Sequence, residues 1–287
     1  MNVTFIGLGI MGSRMAQHLL DNQVKLTVYN RSPEPAKALQ KKGARIASSA
    51  SEAVREADVV FTMLSSPEVV ETVVTGAEGI LSSMRPNALW VDCSTVNPSF
   101  SRTAGRAALQ HQVQFLDAPV AGSAPQAENA ELAFFVGGEA SAVEEVTPLL
   151  NHMGNKVLHL GKVGQGTSFK MLVNALLAQS MLAFSETLLL GEKMGLSRDF
   201  LLDTLPTLPV SAPFTRAKAE MIRQDDYAVQ FPLELMHKDL YLASLTAYEH
   251  QQPLYLANLA KEIYAGATRK GLGREDFSAI HRFLDKG

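Results

Sequence analysis

Cysteine is nearly absent from this 287-residue chain: Cys93 stands alone. No intrachain disulfide is possible and no cysteine-rich metal site can be built, which suits a reducing compartment. The seven histidines, His111, His152, His159 and His237 among them, show no paired ligand spacing, so no metal is expected. A basic excess is missing as well. A net charge of -3 with no sustained basic block argues against a nucleic-acid partner. Long apolar runs are also lacking. The longest, Met171 to Ser185, contains Asn174, Gln179 and Ser180, is closed by Lys170 and Glu186, and reads as a buried helix rather than a bilayer span. The chain opens into a strand-like segment without the basic lead of a secretory signal. A cytoplasmic protein with no membrane partner is expected. What is present, 46% hydrophobic and 19% charged residues, is an ordinary globular composition.

The first half alternates two periodicities. Val3–Ile6, Leu26–Tyr29, Val59–Leu64 and Leu89–Asp92 read as strands, with helical patterns over Met11–Leu20, Pro35–Lys41 and Pro67–Val74 between them. Such alternation predicts an α/β domain, a doubly wound parallel sheet with helices on both faces. Further strands are expected at Gln114–Asp117, Ala133–Val136 and Lys156–Leu160. After Gly161 strand signals nearly vanish. A long helical pattern runs from near Gly166 towards Lys193, apolar around most of its circumference and therefore expected to be buried on several sides. Helical stretches follow at about 198–205, 213–222, 233–249, 254–269 and 276–285. The reading is a Rossmann domain over 1–162 joined by a long helix to an all-α domain over 163–287.

The sharpest local pattern is Gly7-Leu8-Gly9-Ile10-Met11-Gly12, between the first strand and an amphipathic helix carrying Met11, Met15 and Leu19. Glycines there allow a tight turn and close approach of backbone to a pyrophosphate, which the helix N-terminus favours. Dinucleotide cofactors come in two kinds, told apart at the end of the second strand. An acidic residue there binds the ribose 2′-hydroxyl of NAD. Tyr29-Asn30-Arg31-Ser32 offers none. Arg31 can pair with a 2′-phosphate while Asn30 and Ser32 donate hydrogen bonds, so NADP(H) is the expected cofactor.

Lys170 and Asn174 stand four apart at the start of the long helical pattern, hence on one face, a turn apart. An ammonium there can protonate the alkoxide formed when hydride reaches a carbonyl carbon; the reverse oxidation needs the neutral amine, which partial burial favours. Asn174 can hold the carbonyl or a neighbouring hydroxyl. From spacing alone, a lysine snorkelling to solvent accounts for the pattern equally well.

Five ordered motifs, Gly7–Gly12, Asp92-Cys93-Ser94-Thr95, Asp117-Ala118-Pro119-Val120, Gly164–Asn174 and Lys238-Asp239-Leu240, run over essentially the whole length. On them the chain resembles the β-hydroxyacid dehydrogenases, the family of 3-hydroxyisobutyrate dehydrogenase and the glyoxylate/succinic semialdehyde reductases. The resemblance implies that Lys170 is the catalytic acid/base, that Asn174 contacts substrate, that Thr95 lies near the nicotinamide, and that Lys238 reaches both cofactor and substrate. Met63 and Leu64, ending the third strand, complete the expected cofactor set. The resemblance also implies a small carboxylate-bearing carbonyl substrate in an interdomain cleft and a homodimer or homotetramer. One stretch departs from the family pattern. Val120-Ala121-Gly122-Ser123 replaces Val-Ser-Gly-Gly, and Ala130-Glu131-Leu132 replaces Gly-Thr-Leu. The substrate carboxylate is expected on backbone donors at Ala121, Gly122 and Ser123, with Ser123 supplying a displaced hydroxyl.

Two competing readings share the architecture. Imine reductases look like relatives but typically carry another residue where Lys170 stands. A non-catalytic cofactor-binding module is the other, in relatives that lack the lysine and carry extra domains. Cys93 reads as a small buried hydrophobe, and Met171, Met181 and Met194 as core filler.

Overall fold

A strand that is apolar at every position must be covered on both faces, and the first half of the chain is built on that demand. The computed structural model describes residues 1–286. Strands β1 (Asn2–Ile6), β2 (Lys25–Tyr29), β3 (Arg45–Ile46), β4 (Val59–Thr62), β5 (Leu89–Asp92) and β6 (Gln114–Asp117) form one sheet in the order β3-β2-β1-β4-β5-β6, every pair parallel. Helices α1 (Ile10–Asp21), α2 (Pro33–Gln40), α3 (Ala50–Val54), α4 (Pro67–Val70) and α5 (Pro98–Gln110) lie in the crossovers. All residues of β4 and β5 are buried. Phe5, Phe61 and Val91 pack with Met15 and Leu19 of α1. Ile6, Val60 and Trp90 point the other way, into a cluster with Ala104 and Ala108 of α5. Chain order reverses between β1 and β4, the switch point at which open α/β sheets bind ligands beyond their strand C-termini.

The expected strands beyond residue 130 leave this sheet. Strands β7 (Val120–Ala121), β8 (Leu132–Val136) and β9 (Gly154–His159) make a separate three-stranded one, β7 antiparallel and β9 parallel to β8. Between them run α6 (Ala124–Glu128) and α7 (Ala140–Met153).

Contacts divide the chain into two units, Met1–Lys170 and the remainder from Met171. Helix α8 (Gln165–Lys193) begins in the first. The second is helical: α9 (Arg198–Thr204), α10 (Thr215–Gln224), α11 (Leu233–Glu249), α12 (Tyr255–Ala267) and α13 (Ile280–Lys286) enclose a core of Leu188, Leu201, Ile222, Met236, Tyr264 and Phe277. Inside it Lys218 Nζ meets Asp276 Oδ1 at 2.8 Å, while Asp276 Oδ2 accepts the N–H groups of Gln230 and Phe231; a buried pair satisfied this fully avoids the cost of an orphaned charge. The expectation that α8 is buried on several sides holds only in part. Leu172, Leu176 and Leu190 are each more than 60% exposed, because its apolar circumference is wider than the cover the chain supplies.

The α6 segment shows how a family departure is accommodated. Ala130 has φ +54, and Glu131 N–H closes back onto Gln126 O at 2.8 Å, a left-handed helix ending that glycine adopts without strain. Its leftover carbonyls, Ala127 O and Glu128 O, both accept from His18 Nε2 at 3.0 and 2.9 Å, which fixes the proton on that nitrogen. Arg14 Nε adds a 2.7 Å ion pair to Glu128. These ties from α1 hold Ala130 in its strained conformation. Ala130→Gly is therefore expected to stabilise the protein by about 0.5–1 kcal/mol, read as a raised Tm in thermal unfolding; an unchanged or lowered Tm refutes the strain.

Candidate functional site

The Gly7–Gly12 turn closes on itself. Gly7 lies at φ +95, where a Cβ would come within 2.3 Å of Met63 O, and a Cβ on Gly12 would stand 2.0 Å from Gly7 O. Gly9 is different: a Cβ there meets nothing within 4 Å. The turn is thus shut towards the protein and open at Gly9, the start of α1, whose first turn carries no acidic residue. Free N–H groups, a positive dipole end and open space fit a pyrophosphate. Ile10 and Met11 follow, half-buried. Asn30 braces the turn, accepting Leu8 N–H at 2.9 Å and donating to Ser32 O at 2.9 Å. Much of the hydrogen-bonding capacity expected to face a phosphate is thereby used to shape the loop. Arg31 and Ser32 are exposed beside it.

Beyond β4 and β5 a buried polar chain sets the neighbouring loops. Trp90 Nε1–H donates to Thr62 Oγ1 at 2.8 Å, Thr62 donates to Asp92 Oδ1 at 2.8 Å, and that oxygen also accepts Ser94 N–H at 3.1 Å. Ser94 Oγ then accepts Leu64 N–H at 2.9 Å. Met63, Leu64 and Thr95, half-buried, therefore sit on loops that are tied together. Cys93, between them, is fully buried, and burial pushes its thiol well above the ordinary range, so it is inert.

The start of α8 is held by Asp117, at the end of β6. Its Oδ1 accepts Gly164 N–H at 2.7 Å, and Oδ2 accepts Thr167 N–H at 2.8 Å and the Thr167 hydroxyl at 3.2 Å. The approach requires glycine: a Cβ on Gly166 would lie 2.2 Å from Phe135 O and 3.0 Å from Asp117 Oδ2. Burial raises this carboxyl from its ordinary 3.8 to about 7, the hydrogen bonds pulling the other way. One turn further along α8, Lys170 is buried, only 7% exposed, and Asn174 is 1% exposed. In the helical unit Asn174 Nδ2–H donates to Asp239 Oδ2 at 2.5 Å, and Lys238 Nζ lies 2.9 Å from Asp239 Oδ1. Asn174 Oδ1 is buried without a partner. Asp239, between Lys238 and Leu240 in its motif, thus joins Asn174 and Lys238, the two expected substrate residues of the helical unit. In the remaining expected segment, Ala121 ends β7, Gly122 has φ +116, and Ser123 N–H and Oγ both lie within 3.0 Å of Gln126 Oε1. No metal-ligating cluster of histidine, cysteine or carboxylate is found among the described residues.

Residues 2–161 match the profile of the NAD binding domain of 6-phosphogluconate dehydrogenase, and residues 164–284 that of the NAD-binding of NADP-dependent 3-hydroxyisobutyrate dehydrogenase. Glyoxylate/succinic semialdehyde reductase 1 of Arabidopsis thaliana is 34% identical over 98% of this chain and 97% of its own. The chain belongs to the β-hydroxyacid dehydrogenase family. It is an NAD(P)-binding oxidoreductase. The NAD-dependent L-serine dehydrogenase of Pseudomonas aeruginosa is 33% identical over 99% of this chain and 97% of its own. Among solved structures, 3-hydroxyisobutyrate dehydrogenase of Mycobacterium tuberculosis with L-serine superposes with a TM-score of 0.88 at 32% identity, covering 99% and 98% of the two chains.

For this dehydrogenase the Asp117 contact has measurable consequences. Asp117→Asn places an amide donor against backbone donors, and is expected to cost about 1–3 kcal/mol of stability. The carboxyl keeps its proton to higher pH when folded than when unfolded, so it contributes stability that declines as pH rises from 3.8 to about 7. Chemical denaturation across that range should show the decline in the natural protein and a shallower slope in the variant; identical slopes refute the buried titration.

Proposed function

We propose that this protein is an NADPH-dependent reductase of a small carbonyl acid, glyoxylate or succinic semialdehyde in type, with Lys170 as the proton donor. The observation that carries the reading is a buried lysine one helical turn from a buried asparagine with an unsatisfied acceptor, on a helix whose start is clamped by Asp117. A lysine seldom surrenders its hydration without a purpose. The snorkelling alternative leaves a lysine exposed, whereas this one is 93% covered. Hydride to the carbonyl carbon would come from the nicotinamide of a cofactor held at the Gly7–Gly12 turn. Lys170 Nζ gives one proton to the oxygen, which leaves an alcohol and a neutral amine. Asn174, steadied by Asp239 and Lys238, orients the oxygen-bearing group. The substrate carboxylate lies on the Ala121–Ser123 turn.

The preference for NADPH rests on Arg31 and on the absence of a carboxylate between Tyr29 and Pro33; the names of relatives support both nicotinamides. A homo-oligomer is supported by the exposed stripe of Leu172, Leu176 and Leu190 on α8, since an apolar surface of that kind marks an interaction face. Imine reduction and a non-catalytic role fit the buried lysine less well.

Lys170→Ala is expected to lower kcat by about 10²–10⁴-fold while NADPH binding persists by fluorescence titration; near-natural turnover refutes the assignment. Arg31→Ala should raise the Kd for NADPH by about tenfold or more, from loss of a charge-assisted pair, and leave that for NADH within a factor of about two. Equal losses for both cofactors would remove the phosphate contact.

A further inference from the structure

The Ala121–Ser123 turn is held between two short elements. On one side is β7, a strand of two residues paired with β8. On the other is α6, a helix of five, far below the about 12–15 residues at which a helix begins to persist unaided in water. The place of α6 must come from tertiary contacts, and α1 supplies them. Ala127 is fully buried in the cluster that holds Met15 and Leu19. His18 Nε2 lies 3.0 Å from Ala127 O and 2.9 Å from Glu128 O. Arg14 Nε stands 2.7 Å from Glu128 Oε2, and its Nη1 donates to Ile10 O at 2.7 Å, in the first turn of α1. Arg14 and His18 are four residues apart, so they share one face of that helix. We propose that His18, with Arg14 as a weaker second arm, is a positioning residue for the reaction: it fixes the substrate-carboxylate turn to the helix that holds the cofactor, on the reading that the carboxylate sits at Ala121–Ser123.

The end of α6 is where a tie is needed. Ala130, at φ +54, occupies a conformation that glycine adopts freely and alanine does not, so this ending leans towards unwinding. The last carbonyls of a helix also have no partner within it. One N–H donor shared between two of them answers both needs, and His18 places it there. The Arg14 arm is weaker, because the Glu128 side chain is 67% exposed and an ion pair in water adds little. From Ile10 to His18 the helix advances about 12 Å, at about 1.5 Å per residue. A single rigid rod thus carries the pyrophosphate turn at its start and the tie to the carboxylate turn two turns later. Without the tie, α6 and the turn it follows sample several positions, and an anion must pay the ordering on binding. A substrate without a carboxylate does not use the turn and is spared.

NADPH-oxidation kinetics test the tie, with glyoxylate as the anionic substrate and glycolaldehyde as its neutral counterpart. His18→Leu keeps bulk and removes the donor. Its KM for glyoxylate should rise by about 3- to 10-fold, as for loss of a hydrogen bond, with kcat within about twofold, since binding lost equally from ground and transition states moves KM alone. His18→Gln, whose amide N–H can reach the same carbonyls, should return KM to within about twofold of the natural enzyme. Arg14→Gln should raise it by only about twofold. Glycolaldehyde kinetics and NADPH affinity should shift by less than about twofold in every variant, whereas a general loss of structure moves both aldehydes together. If His18→Leu does not fold, His18→Asn, whose shorter amide stops short of the carbonyls, takes its place with the same expected rise. An unchanged glyoxylate KM in the loss variant, equal losses for both aldehydes, or no rescue by glutamine overturns the positioning role. Natural enzyme with the same kcat/KM for glyoxylate and glycolaldehyde overturns instead the carboxylate seat beneath it.

Discussion

A single carboxylate ties together three parts of the first unit. Asp117 stands at the end of β6 and receives the opening N–H groups of α8, while its own backbone pairs with Gly137 just beyond β8. One residue thereby joins the six-stranded sheet, the three-stranded sheet and the helix that bears Lys170. The opening amides of a long helix have no intrahelical acceptor; burying them without one costs about 1–3 kcal/mol each. An acidic side chain meets that need and also complements the helix dipole. The position of Lys170, a turn beyond Thr167, follows from the clamp. A lysine on a frayed first turn would have no fixed reach, whereas one on a helix tied at its first residues has one.

The same logic sets the cofactor side. The strands end in polar residues that are buried and bonded to one another, Thr62 to Asp92 and Asp92 to Ser94, and Leu64 is bound in turn by the Ser94 hydroxyl. Met63 then has its carbonyl against Gly7, at a distance that only a hydrogen in place of Cβ permits. The glycine turn, the loop after β4 and the loop after β5 form one connected body. The dinucleotide pattern in the sequence is the visible part of it. Asn30 completes the frame from the second strand, which is why a residue expected to serve a ligand serves the loop that would hold the ligand.

Most of the sheet was legible because its strands are apolar at nearly every position, and the long helices because their apolar period persists for many turns; α11 matches its expected bounds of 233 and 249. What escaped reading was short or non-local. Strands β3 and β7 have two residues each, too few to show a period, and the transfer of β8 and β9 to a second sheet depends on partners distant in sequence. The exposed stripe of α8 escaped for a further reason: an apolar sequence states that cover is needed, not which chain provides it. Of the candidate site, Lys170, Asn174 and the glycine turn stand out in the sequence by spacing or resemblance. Asp117 and Asp239 belong to motifs of the sequence, yet their contacts reach across 47 and 65 residues of chain. The paired glycines beside Thr167 were the available signal for Asp117, since Gly166 marks a close approach before the partner is known.

Asp239 decides which end of the Asn174 amide is left over. An ionised carboxylate only accepts, so the Asn174 amide must turn its Nδ2 towards Asp239, and the Lys238 ammonium 2.9 Å from the other oxygen holds that carboxylate in place. The amide cannot flip without setting oxygen against oxygen. Its Oδ1 is thereby fixed as a buried acceptor without a partner, and only a group that carries a hydrogen satisfies it. The polar chain from Lys238 through Asp239 makes the orientation of the Asn174 amide a property of the helical unit rather than of a mobile side chain.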